Sequence, residues 1–435
     1  MIIDRVRQAG VVGAGGAGFP THVKIDADVD TVIVNGAECE PLLRVDQELM
    51  EKKTADLING LEFVKETTGA TKVIIALKKK YEKAISNIEN EIANKRYFST
   101  FLLEDFYPAG DEQQLVYEVT GKIVPEAGIP LMCGVVVINV ETVINIDNAI
   151  KGDAVTDKYL TITGAVKQAM TINVAIGTKI SDIIQLAGGT TVDKYGLLDG
   201  GPMMGKVVDD EDIVTKTTKG IIVLPAEHSI LKSKTLSVKP MVKRAMSACC
   251  QCRACTDVCP RYLLGKSIEP HKIMRAIAMG IDTDIDSVTS AMLCCECGVC
   301  DISCPMQLSP KHINMEIKNE LAQKGFRKDK KELEKSHSMR DYRKLPVKRL
   351  IKKLGIYKWN LSAPINDINF KPDLIELPLV QHIGAPAEPL VNIGERVEVG
   401  QLIAKIPENS LGATLHSGVS GIVKSISDRI VIKKT

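Results

Sequence analysis

Two cysteine runs near the middle of the 435-residue chain constrain it most. The first is Cys249-x-x-Cys252-x-x-Cys255-x-x-x-Cys259-Pro260, and the second is Cys294-x-x-Cys297-x-x-Cys300-x-x-x-Cys304-Pro305. Thiolates at intervals of three residues let one tight loop reach three corners of a cubane. The fourth, displaced by four and followed by proline, turns away to the other cubane. The spacing therefore predicts two [4Fe–4S] clusters, ligated crosswise. Cys249, Cys252, Cys255 and Cys304 hold one, and Cys294, Cys297, Cys300 and Cys259 hold the other. Zinc tetrads use two separated pairs instead. Ten of the twelve cysteines fall in these two windows, a distribution that points to metal rather than disulfides. Cys250 and Cys295 read as packing thiols, and Cys39 and Cys133 as small buried hydrophobes. A chain built around such clusters moves single electrons.

The rest of the composition removes other classes. The formal net charge is +2, so no global field draws in nucleic acid or an anionic membrane. One Trp and 4% aromatics leave little for base stacking. The most apolar stretch, Gly134 to Val140, is about a third of a membrane span. The start Met1-Ile2-Ile3-Asp4-Arg5 lacks the basic and apolar regions of a secretory signal, so a cytoplasmic location is expected.

The pattern predicts a multidomain α/β chain. Residues 1–152 alternate short β-rich runs (Thr31–Asn35, Lys72–Leu77, Gly134–Val140) with helix-like segments at Asp46–Glu66 and Lys78–Asn94. Residues 153–215 read as a small β-rich module with one helix. Residues 240–325 carry the cysteine runs on a helical background, with amphipathic stretches at His271–Met279 and His312–Lys324. A basic linker spans 326–370; its segment 327–353 has twelve Lys or Arg against four Asp or Glu. It reads as a solvated helical connector or as a docking arm for an acidic partner. Residues 371–435 return to β structure, an all-β module.

Upstream of the cysteines lies Gly10-Val-Val-Gly13-Ala-Gly15-Gly16-Ala-Gly18-Phe19-Pro20, a loop whose backbone can approach a phosphate closely. It is no Rossmann fingerprint, because no clear strand precedes it and Pro20 stops a helix at once. Asn35-Gly-Ala-Glu38-Cys-Glu40-Pro41, Tyr107-Pro-Ala-Gly110-Asp111-Glu112 and Asn139-Val-Glu141-Thr142 follow apolar runs. Three polar loops at strand ends beside a Gly-rich loop predict a nucleotide-type cofactor site.

These four segments resemble, in order, the flavin-site segments of the NADH-oxidising 51-kDa subunit of respiratory complex I and of the RnfC proteins of Rnf complexes. Residues 157–205 resemble the β-grasp (SLBB) domain of both. Residues 381–421 resemble the barrel-sandwich hybrid of the RnfC proteins, here placed last rather than first. That order is similar to the cobalamin reductases of propanediol utilisation and to the electron-transfer proteins associated with proline reductase. The resemblance implies a 51-kDa-like α/β flavin domain, an SLBB domain, a dicluster ferredoxin-like helical domain and a C-terminal barrel-sandwich hybrid. It implies FMN near Gly13, Gly15 and Gly16, and Lys24 near a phosphate. Asn35, Glu38, Tyr107, Gly110, Asp111, Glu112, Asn139 and Thr142 would line the flavin, while Phe19, Glu40 and Glu112 would face NADH. Ala37, Asp111 and Ile138 depart from the complex I pattern, where an acid, a Glu and an Asn stand. No lysine stands at the hairpin tip His416-Ser417-Gly418, so the C-terminal module is no acylated swinging arm.

The resemblance implies an NADH dehydrogenase that reduces a corrinoid or a partner redox protein, in the cytoplasm or a bacterial microcompartment. No acid–base residue is assigned, because hydride transfer to flavin needs none. The alternative is an electron-conducting adaptor within a larger complex, without turnover of its own.

Overall fold

In the computed structural model, which describes residues 1–280, 284–368 and 370–435, the chain opens on a parallel sheet. Its strands are β1 (Thr31–Gly36), β2 (Lys72–Lys78), β3 (Phe98–Leu103) and, beyond the short β4 (Phe106–Tyr107), β5 (Val135–Asn139). The order is β3-β2-β1-β5. Runs such as Thr-Val-Ile-Val and Val-Val-Val-Ile are buried, as strands covered on both faces must be. The helix expected over Asp46–Glu66 is two helices, Val45–Lys52 and Thr54–Thr68, which meet at Lys53. The break lets the first helix turn Asp46 inward while the second packs on the helix Val140–Lys151. Register sets Asn35 of β1 beside Asn139 of β5, so two polar side chains meet at the carboxyl ends of adjacent strands.

A second sheet has the order β7-β6-β10-β8-β9, from β6 (Asp157–Gly164), β7 (Met170–Ala175), β8 (Tyr195–Asp199), β9 (Lys206–Val208) and β10 (Gly220–Pro225). One helix, Ile180–Leu186, packs with it. The cysteine runs follow among short helices, with Pro270–Met279 and Pro310–Gln323 the longest beside Val238–Ala248. The C-terminal residues form a four-stranded and a three-stranded sheet facing a shared core that includes Ile375, Val397, Leu415 and Ile432. Among the described residues no helix is long and apolar enough to cross a membrane.

The basic segment is only partly helical. Helix Val347–Lys353 follows β11 (Leu345–Pro346), which pairs with β4; Arg327–Lys344 forms no helix. The end of this stretch is a strap, because three of its cations, Arg340, Arg343 and Lys344, find fixed partners. Arg340 is buried, 2.7 Å from Gln114 Oε1 and 2.5 Å from Glu118, with its guanidinium 4.4 Å from the Tyr117 ring. Lys344 reaches Glu118 at 2.8 Å, and Arg343 reaches Asp257 at 3.1 Å.

Candidate flavin and iron–sulfur site

The Gly-rich loop is a closed ring. Gly13 N donates to Phe19 O (2.9 Å) and Gly18 N to Gly13 O (3.1 Å), leaving Gly15, Gly16 and Ala17 exposed at the tip. Thr142 anchors the ring by accepting from Ala14 N at 2.9 Å. The Gly15 backbone lies against the Asn139 side chain, where an added Cβ would sit in ordinary contact at 3.4 Å, so the tip lies over the end of β5. Asn139 caps helix Val140–Lys151 by accepting from Glu141 N (3.0 Å), which sets that helix's positive end at the same place. An exposed glycine tip beside a capped helix start, at the carboxyl ends of parallel strands, fits a phosphate-bearing cofactor such as FMN.

The other expected residues gather around this point. Asn35 donates to Gly110 O at 2.8 Å, and Lys24 pairs with Glu112 at 2.6 Å. Glu38 lies 3.0 Å from Lys219 Nζ. Lys219 also lies 2.5 Å from Asp46, whose carboxylate accepts from Asn139 Nδ2 at 3.1 Å. Lys219 and Asp46 are buried functional candidates that sequence reasoning missed. The available signal was a lysine placed immediately before the apolar strand Gly220–Pro225. Burial lowers the Lys219 ammonium's affinity for its proton, but the two carboxylates outweigh it and hold the proton firmly.

Glu40 is engaged differently from a residue open to nicotinamide. Its carboxylate accepts from Met203 N (3.0 Å) and Met204 N (2.9 Å), and burial pushes its pKa up. A cavity of about 310 Å³ opens beside it, lined by Glu38, Cys39, Arg44, Lys78, Lys80 and Asp105 among others. Cys39 is only partly buried, as is Cys133, and desolvation chiefly pushes the Cys39 thiol up to about 12.

The polar loop at 107–114 reaches the cysteine runs. Tyr107, fully buried, donates to Cys297 O at 2.8 Å. Asp111 accepts from Gln113 N and Gln114 N as a helix cap and pairs with Arg261 at 2.8 Å, two residues past Cys259. Gln114 Nε2 donates to Pro260 O at 2.8 Å. The departure to Asp at position 111 thus has a local use, since a short side chain can both cap its helix and face Arg261.

Both runs fold alike. Gln251 and Arg253 in the first, and Glu296 and Gly298 in the second, have positive φ between 54° and 77° at matching positions. Such twists cost about 1–2 kcal/mol for residues with a Cβ and persist where the surroundings demand them. Cys249, Cys252 and Cys255 share a small cavity with Cys304 of the other run. Burial, then Asp301 and the thiols of Cys294, Cys259 and Cys255, pushes the Cys300 thiol far up. Cys255 is raised to about 12 and Cys294 to about 11, again chiefly by burial. Thiols so placed become thiolates only with cations beside them, which the irons of a cluster provide. Glu296 N donates to Cys294 Sγ (3.3 Å) and Leu308 N to Cys304 Sγ (3.4 Å), the kind of bonds that tune a cluster. The residues fit clusters. Cys250 is exposed, and Cys295 lies partly buried beside Cys297.

The two groups differ in exposure. Cys259, Cys297 and Cys300 are buried and Cys294 is intermediate, whereas Cys252 is exposed and Cys249, Cys255 and Cys304 are intermediate.

Residues 6–148 match the Nuo51 FMN-binding domain, 159–207 the SLBB domain, 248–309 a 4Fe-4S dicluster domain and 358–435 the RnfC barrel sandwich hybrid domain. These modules define the chain as a flavo-iron–sulfur electron-transfer protein, an oxidoreductase. The cobalamin reductase PduS of Citrobacter freundii is 43% identical over 433 residues, covering 99% of this chain and 95% of that protein. A component of the Na(+)-translocating ferredoxin:NAD(+) oxidoreductase complex of Acetobacterium woodii is 37% identical over 59% of this chain and 57% of its own length. A solved NAD+-reducing [NiFe]-hydrogenase chain aligns over 82% of this chain and 66% of its own, at 18% identity and a TM-score of 0.47. The chain belongs to the PduS cobalamin reductase family.

Proposed function

We propose that the protein takes electrons from NADH and delivers them to cobalamin, using FMN and two [4Fe–4S] clusters ligated crosswise as the spacing predicts. FMN supplies the change from a hydride pair to single electrons that clusters can carry. The observation that carries the reading is the hydrogen-bonded junction between the polar loop and both halves of the buried cysteine group, Tyr107 to Cys297 O and Asp111 to Arg261. It ties the flavin loop to the Cys259, Cys294, Cys297 and Cys300 group, which makes that group the entry. The more exposed Cys249, Cys252, Cys255 and Cys304 group makes the exit, where an acceptor can approach. Asn35, Glu38, Asn139, Thr142 and the Gly-rich tip hold the flavin; Lys24 and Glu112 stand by its phosphate side.

Anaerobic titration of the reconstituted protein with NADH tests this. Bleaching of the flavin band followed by EPR signals of reduced clusters is expected, with cob(II)alamin formed when cob(III)alamin is added. A flavin band and clusters that ignore NADH overturn the donor. That outcome would favour the adaptor reading, to which the capture of Glu40 by Met203 and Met204 lends weight. A microcompartment setting is part of the same proposal.

A further inference from the structure

The C-terminal module grips both stems of the Gly-rich loop. At the first stem, Lys216 is buried and its Nζ donates to Gly10 O and to Thr414 O, each at 2.7 Å. Thr414 Oγ1 donates in turn to Gln8 O at 3.0 Å. A Cβ on Gly10 would lie 2.5 Å from Thr414 O, so the two backbones are in direct apposition. At the second stem, Ile383 N donates to Gly18 O at 3.0 Å, and a Cβ on Gly18 would meet Thr217 Cγ2 at 3.0 Å and His382 Cα at 3.2 Å. Gln381 Oε1 accepts from Lys216 N at 3.1 Å and closes the circuit between the stems. Only the tip, Gly15–Ala17, is left exposed. The junction is buried, with Lys216 2% and His416 7% exposed, and desolvation pulls Lys216 down to about 7 and, helped by the nearby Lys216 charge, His416 to about 4.

We propose that the C-terminal module is a clamp that presets the Gly-rich loop for its anionic cofactor, with Lys216 as the positioning residue. The proposal rests on the flavin reading above. Ordering a free loop costs about 1–2 kcal/mol per residue, and a loop already ordered binds without that cost. Lys216→Met keeps the stem of the side chain and removes both bonds, freeing Gly10 and its neighbours.

The test uses full-length protein with its clusters reconstituted and its flavin removed. FMN is titrated in, with its fluorescence quenching as the readout of Kd. Hydrogen exchange of residues 10–19 is measured before any flavin is added, and iron and sulfide are assayed. Lys216→Met is expected to raise the Kd at least tenfold and to speed exchange at 10–19, with iron and sulfide unchanged. Gln381→Leu, a milder loss at the same junction, should move both readouts in the same direction and stands in should Lys216→Met not fold. Exchange at 10–19 equal to wild type in the variants overturns the clamp, whatever the flavin does. Wild-type protein that takes up no FMN overturns the flavin reading on which the clamp depends.

Discussion

Replacing Lys219 with Met should unsettle the flavin crevice more than any other single change there. The ammonium lies 3.0 Å from Glu38 and 2.5 Å from Asp46, and the side chains of those carboxylates are only 6% and 3% exposed. Methionine retains the apolar stem and leaves two buried carboxylates without a cation. Breaking a buried pair by removing one partner costs about 3–5 kcal/mol. The lower end applies here, because Asn139 still donates to Asp46 and Glu38 borders the open cavity. At roughly 2–4 °C per kcal/mol, the first thermal transition of the flavin-free protein should fall by about 6–12 °C. The first transition is the quantity to follow, since a chain of several domains need not melt in one step. The triple variant Glu38→Gln, Asp46→Asn, Lys219→Met should recover most of the loss, because no buried charge then lacks a partner. A Lys219→Met protein that melts within about 1 °C of wild type would refute the reasoning. So would a triple variant that is no better than the single one.

Crosswise ligation gives a sharper prediction. Cys259→Ser should remove the cluster whose other ligands are Cys294, Cys297 and Cys300, and Cys304→Ser the one held by Cys249, Cys252 and Cys255. EPR of the two variants should each lose a different cluster signal, and loss of the same signal from both would break the assignment. The buried lysine of the clamp adds a pH dependence. Lys216 ordinarily titrates at 10.5 and in the folded chain at about 7, so between these values the unfolded state binds more protons and stability rises with pH. Wild type should gain on Lys216→Met by about 1.4 kcal/mol per pH unit across that window. Denaturant melts at pH 7.5 and 8.5 measure it, and a constant gap would show that the lysine stays charged in the fold.

Much of this was legible in the residues because it is local. The valine and isoleucine runs of β1, β2 and β5 need only their own hydrophobicity to be strands. The cysteine spacing is local too, and residues 248–309 match a 4Fe-4S dicluster domain. The polar segments after the strands announce themselves by their position. What could not be read are single polar side chains whose partners are remote in the chain. Lys216 looks like any lysine until Gly10 and Thr414 close on it, and Lys219 until Asp46 does. Segment 327–344 reads as a solvated run of charge. Its Arg340 becomes buried only because Glu118, Gln114 and the Tyr117 ring, more than two hundred residues earlier, lie beneath it. Charge composition carries no information about such pairings.

The pairings share a direction. Arg261 to Asp111, Gln114 to Pro260 O and Tyr107 to Cys297 O all run from the flavin loop to the buried cysteine group. The strap adds Arg343 to Asp257 and Arg340 to Glu118 across the same seam. The more exposed cysteine group takes one such bond, Arg343 to Asp257 beside Cys255, against three at the buried group. An electron carrier needs a fixed distance at its entry and an approachable surface at its exit. Remote polar bonds concentrated at one group and sparse at the other meet both needs in one chain. Arg261→Met should therefore slow reduction of the clusters by the flavin in stopped flow, while reduction of the clusters by dithionite, which can enter at the exposed group, keeps its wild-type rate. Equal slowing of both would mean that Arg261 merely holds the domain folded.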